Sequence, residues 1–109
     1  MSIKSLLLTL SLLLSFNAFA ITYQDAEEIF WKHFNQSNNG ITTLIRECVY
    51  LFEDGTTDSY IGLNLREIHN DECGGDPNTD VSIAFFRVNE NRELWMIDYL
   101  DGSYQRIGE

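Results

Sequence analysis

Twelve consecutive residues, His69 to Asp80 (HNDECGGDPNTD), restrict the fold more than any other stretch of this chain. They hold one of its two cysteines, the Gly74-Gly75 pair, its single proline, Pro77, and the carboxylates Asp71, Glu72, Asp76 and Asp80. Neither a helix nor a strand can run through them. The glycines open positive φ, Pro77 removes an amide donor and restricts Asp76, and Asn78 and Asp80 compete for backbone hydrogen bonds. The segment is therefore a structured loop, with Cys73 placed to tie it down.

The first twenty residues read as a secretory signal peptide. Lys4 supplies the positive start, Leu6 to Phe16 a short apolar run, and Ala18-Phe19-Ala20 a small-x-small cleavage site, so the exported chain begins at Ile21. The apolar run falls short of the ~20 residues that a membrane-spanning helix needs. No cysteine near the cleavage point supports a lipid anchor. Residues 21–109 then form a single small domain in the periplasm or outside the cell.

A domain of this size has a modest core and gains from a covalent tie. Cys48 and Cys73 are the whole cysteine complement, an even number in an exported chain, and a disulfide between them is expected. Closing so long a loop is worth roughly 3 kcal/mol on the chain-entropy argument. Loss of Lys4 leaves six basic residues against seventeen acidic ones. Nucleic acid and anionic membrane surfaces are thereby poor partners, whereas a basic protein or a cation is attracted.

Periodicity divides the rest. Thr22 is placed as an N-cap with Asp25 completing a capping box, and Tyr23, Ala26, Ile29, Phe30 and Phe34 recur at helical spacing. Asn38-Asn39-Gly40 is read as the helix stop. From Thr42 to Phe52 the β-branched and aromatic content predicts a strand, with a second helix over Ile41 to Phe52 as the alternative. Glu53-Asp54-Gly55-Thr56 turns the chain into Ser59–Ile68, with Ile61, Leu63 and Leu65 on one face and Tyr60, Asn64 and Arg66 on the other. Val81–Val88, Glu93–Tyr99 and Ser103–Ile107 complete an α+β domain: one N-terminal helix packed on a four- to five-stranded antiparallel sheet, with one disulfide.

Several chemistries are tempting in the loop, and the spacing weakens each. Its carboxylates match no EF-hand pattern, so neither a specific metal site nor a cofactor is expected. His69, four residues before Cys73, would need further ligands to hold zinc, and a disulfide removes the thiolate a nucleophile requires. His69 is expected to be structural. No recognisable Ser–His–Asp set or phosphate loop is present, and no catalytic residue is assigned. Six large aromatics (Trp31, Tyr50, Tyr60, Trp95, Tyr99 and Tyr104) are more rings than a small core needs, and Trp and Tyr dominate interface energetics.

The cassette H-N-D-E-C-G-G-D-P-N-T, between a strand ending Leu65-Arg66-Glu67-Ile68 and one containing Phe86-Arg87-Val88, resembles one found in small exported proteins of Gram-negative bacteria that have no assigned activity. The resemblance covers about Ile61 to Tyr99, with C-G-G-D-P-x-T as its specific part. Those relatives often carry a proline soon after the threonine, where this chain has Asp80 and Val81. The element order is similar to PepSY- and cystatin-like domains. The resemblance implies location and loop architecture and transfers no catalytic residue.

Together these readings favour a periplasmic protein-binding domain without catalysis, for example an inhibitor or immunity protein against a basic cell-wall hydrolase or toxin. Asp71, Glu72, Asp76, Asp80, Trp95 and Tyr99 are the expected partner contacts, with Cys48 and Cys73 as scaffold. A small-ligand or cation-binding module is the alternative, and a small hydrolase the third.

Overall fold

The computed structural model describes residues 21–108; the signal-peptide reading lies outside them. Helix α1 spans Tyr23–Phe34. Thr22 adopts an extended conformation and its hydroxyl accepts the Asp25 amide at 3.1 Å, while the Asp25 carboxylate accepts the Thr22 amide at 3.2 Å. Two of the amides that a helix start leaves unpaired are thus satisfied reciprocally. These bonds hold the Asp25 carboxyl below its ordinary range.

The helix stops at Phe34, with Asn35 as its C-cap, several residues before the expected Asn38-Asn39-Gly40 stop. Asn39 still serves the terminus from a distance. Its amide donates to the Phe34 carbonyl, and its side-chain oxygen accepts the amides of Ile41 and Thr42. Gly40, at φ 74°, then turns the chain.

Neither expectation for Thr42 to Phe52 holds along its full length. Residues 41–45 are irregular, Arg46–Cys48 is a short 3₁₀ turn, and strand β1 begins only at Val49 (Val49–Glu53). The Thr42 hydroxyl accepts the Leu44 amide, so a β-branched residue that favours strands is used as a local turn former.

The other strands fall where the alternation places them: β2 Tyr60–Glu67, β3 Ser82–Asn89, β4 Leu94–Ile97 and β5 Tyr104–Gly108. β4 ends two residues earlier than the predicted Tyr99. The five strands form one antiparallel sheet in chain order, and the architecture is α+β. Leu51↔Leu65, Leu65↔Ala84, Leu63↔Phe86 and Val88↔Leu94 align the apolar residues on one face. Ala26, Ile29, Phe30 and Phe34 of α1 close over that face, with Phe30 meeting Phe86 edge-on at 4.8 Å between ring centres. Trp31 belongs with this packing: it lies edge-on to Phe30 and Phe34 and beneath the Arg46 guanidinium.

Cys48 and Cys73 are joined, with 5.5 Å between their Cα atoms. The bond clamps the 69–80 loop to the start of β1. Within the loop, Asn70 accepts the amides of Glu72 and Cys73, and Gly74 and Gly75 both have positive φ. Neither helix nor strand runs through it, as its composition requires.

Candidate functional site

Residues that alternate with the core occupy the sheet face opposite α1. They form two clusters whose members are distant in sequence and brought together by strand register.

The first cluster lies beside the disulfide loop. Tyr50, Arg66 and Ser82 are paired across β1, β2 and β3. Asp80 accepts from Arg66 Nε at 2.7 Å and from the Tyr50 hydroxyl at 3.3 Å. Arg66 also donates to Asn64 Oδ1, and Asn64 in turn donates to Ser82 Oγ and the Ala84 carbonyl. Asn64 is fully buried, and this network satisfies both ends of its amide, as burial of a polar group demands. The Arg66 guanidinium holds the Asp80 carboxyl below its ordinary range. Asp80 is exposed yet has its charge matched, so it is a tether between loop and sheet as well as a surface acid.

The second cluster is aromatic. Arg87 stands in register with Gly62 on β2 and Trp95 on β4, and Trp95 with Arg106 on β5. The Arg87 guanidinium lies over the rings of Tyr60 at 4.3 Å and Tyr104 at 3.7 Å. Gly62 is required here. The Asp54-Gly55 turn curls onto the sheet so closely that a Cβ at Gly62 would sit 2.0 Å from the Asp54 carbonyl oxygen. Arg106 bridges to Glu93 at 2.8 Å.

Next to this cluster the β4–β5 connection forms a projecting turn. The Asp98 amide donates to the Ser103 carbonyl and the Gly102 amide to the Asp98 carbonyl, both at 2.7 Å. The Asp98 and Asp101 carboxylates accept the Leu100 and Ser103 amides. These four bonds hold out an apolar tip, with Leu100 98% and Tyr99 63% exposed. The Tyr99 hydroxyl still reaches the Ile83 carbonyl, and partial burial followed by the neighbouring Tyr104 pushes its phenol up. Ser103 keeps the Asp101 carboxyl below its ordinary range.

The structure thus divides the expected contact residues. Trp95 and Tyr99 lie in or beside the aromatic cluster and Asp80 in the polar one. Asp71, Glu72 and Asp76 stand exposed on the disulfide loop. Among the described residues, no three His, Cys, Asp or Glu side chains converge to hold a metal ion. Sequence reasoning missed Arg87 and Leu100. Arg87 lies inside Val81–Val88, which its residues mark only as a strand, and Leu100 falls between the strand expected to end at Tyr99 and the one expected to begin at Ser103.

His69 has the structural role expected of it. Its ring packs against Gly75, where a Cβ would lie 2.7 Å from the imidazole. Nε2 faces the Glu67 carboxylate at 3.0 Å and Nδ1 the Asp76 carbonyl at 2.9 Å. Nδ1 also lies 3.1 Å from the Thr79 hydroxyl, which can either accept from it or donate to it. The Glu67 hydrogen bond, followed by that to Asp76, raises the His69 pKa above its ordinary 6.5.

A hollow of about 640 Å³ lies under residues 34–46, lined largely by Asn, Ser, Thr and Gly, with Arg46 as its charged member. No known protein family, curated protein or solved structure matches this chain.

Proposed function

We propose that this protein is a periplasmic or secreted protein-binding domain whose target is a basic protein, and that it acts as an inhibitor or immunity protein against a cell-wall hydrolase or toxin. One observation carries the reading: the Tyr99-Leu100 tip, held by turn hydrogen bonds with Leu100 almost wholly exposed, continues into a sheet face bearing Tyr104, Trp95 and Tyr60. A single exposed leucine is ordinary. A pre-organised tip joined to half-buried aromatics supplies the anchors that interfaces use, at little ordering cost. Asp98 and Asp101 flank the tip, and the chain as a whole is strongly acidic, so a basic partner would be steered to this side.

The reading is tested by immobilising the disulfide-bonded protein and capturing partners from periplasmic extract at low and at moderate salt. A specific basic protein, retained less well as salt rises, is the expected result. Recovery of no specific partner at either salt contradicts it.

A further inference from the structure

Arg87 is the unusual arginine of the sheet. Arg66 is spent on Asp80 and Asn64, and Arg106 on Glu93 and the Gly108 carbonyl. Arg87 is half-buried, yet among the described residues none of its guanidinium N–H groups donates to a protein acceptor, and no carboxylate pairs with it. It lies in a depression of about 380 Å³ lined by Tyr60, Asn89, Trp95 and Tyr104. Asn89 is already committed to the Glu93 side chain and to the amides of Asn91 and Glu93. Arg87 is therefore the charged donor that this depression offers.

We propose that Arg87 anchors a carboxylate-binding site on the open face of the sheet. The two tyrosine rings come from opposite flanks of β3, Tyr60 from β2 and Tyr104 from β5, and the guanidinium carbon lies over each of them. The guanidinium's paired N–H groups, which no protein acceptor takes among the described residues, match a carboxylate in two parallel hydrogen bonds. The rings also hold the side chain in place, so little rotamer freedom is lost when the ligand arrives. Trp95 beside the fork offers apolar contact to whatever bears the carboxylate.

A carboxylate is favoured over a phosphate for two reasons. A flat group fits between aromatic walls better than a tetrahedral one. A phosphate dianion is also repelled about twice as strongly as a monoanion by a chain of net charge −10. The carboxylate could come from a polypeptide chain end or from an acidic side chain.

The site rests on its own geometry and is tested with small probes, without the partner proposed above. The disulfide-bonded protein is titrated with N-acetyl-Ala-Ala (a chain-end carboxylate), N-acetylglutamic acid α-amide (a side-chain carboxylate), N-acetyl-Ala-Ala-amide and inorganic phosphate. NMR follows the Arg87 Nε–H and Trp95 indole resonances. Saturable shifts with one or both carboxylates and none with the amide support the site, and the stronger of the two identifies the source. In Arg87→Lys, which keeps the charge but loses the fork, affinity should fall by roughly tenfold or more. The proposal is overturned by flat titrations with both carboxylates, by tighter binding of phosphate, or by undiminished affinity in Arg87→Lys. Because the wild-type titration needs no variant, a folding defect in Arg87→Lys leaves the test intact.

Discussion

Replacing Cys73 by Ser removes the one covalent tie in the fold, and its cost can be worked from the 25-residue separation of the cysteines. On the chain-entropy relation, a loop of that length restricts the unfolded chain by about 12 cal/mol/K, or ~3.5 kcal/mol at room temperature. A domain of this size shifts its melting temperature by roughly 4–8 °C per kcal/mol, so Cys73→Ser should melt about 14–28 °C lower. The non-covalent ties work in the opposite direction. Asp80 to Arg66, His69 to Glu67, the Ile68 amide to the Cys48 carbonyl and the Glu67 amide to the Val81 carbonyl all hold the loop to the sheet without the sulfurs. They keep the loop native in the folded variant, so the loss should come from the unfolded state. Chemical denaturation of the wild type and of Cys48→Ala/Cys73→Ala, monitored by tryptophan fluorescence and circular dichroism, separates the two states. The variant should lose stability while retaining the wild-type spectrum. A loss under about 1 kcal/mol would contradict an unfolded-state origin of the stabilisation, because it would leave the reduced chain no freer to unfold than the bonded protein.

Other consequences are equally open to measurement. Because the folded state raises the His69 pKa above 6.5, its contribution is complete below that value and is lost as pH rises through the folded pKa. The melting temperature of the wild type relative to His69→Gln should therefore fall as pH rises above 6.5; a pH-independent difference would contradict the assignment. Asp80 has the opposite sign: its folded pKa is depressed, so its contribution is present above 3.8 and lost as acid protonates it. Asp80→Asn should accordingly flatten the acid limb of the stability profile. Gly62→Ala drives a Cβ into the Asp54 carbonyl and should destabilise the domain by about 1–3 kcal/mol, as forced overpacking does, with an unchanged melting temperature as the contrary result. Leu100→Ser, at a site 98% exposed, should alter stability by less than about 0.5 kcal/mol in thermal unfolding.

What could be read in the residues was whatever depends on near neighbours. Thr22 and Asp25 announce the helix start because a capping box is local chemistry. Ile61, Leu63 and Leu65 reveal β2 because a strand with one buried face has a period of two. The loop follows from its glycines and proline, and the disulfide from there being two cysteines in a chain read as exported. Errors arose where polar side chains capture the backbone. Asn39 and Thr42 take the amides that would otherwise extend the expected strand, and Asp98 and Asp101 end β4 before Tyr99. Both clusters on the open face were illegible for a different reason. Tyr60, Arg87 and Tyr104 meet only after four strands have found their register, and Tyr50, Arg66 and Asp80 only once the loop has closed over the sheet. A one-residue slip of any strand would scatter them.

The central claim, that the Tyr99-Leu100 tip and the aromatic face beside it dock a basic protein, is tested most directly by a paired capture. Wild type and Tyr99→Ser/Leu100→Ser, first shown to fold alike by circular dichroism and thermal unfolding, are immobilised at equal density and exposed to the same periplasmic extract. The expected result is a basic protein bound by the wild type, weakened by moderate salt, and lost from the double variant. Equal retention of that protein by both would place its contact elsewhere on the domain and contradict the claim.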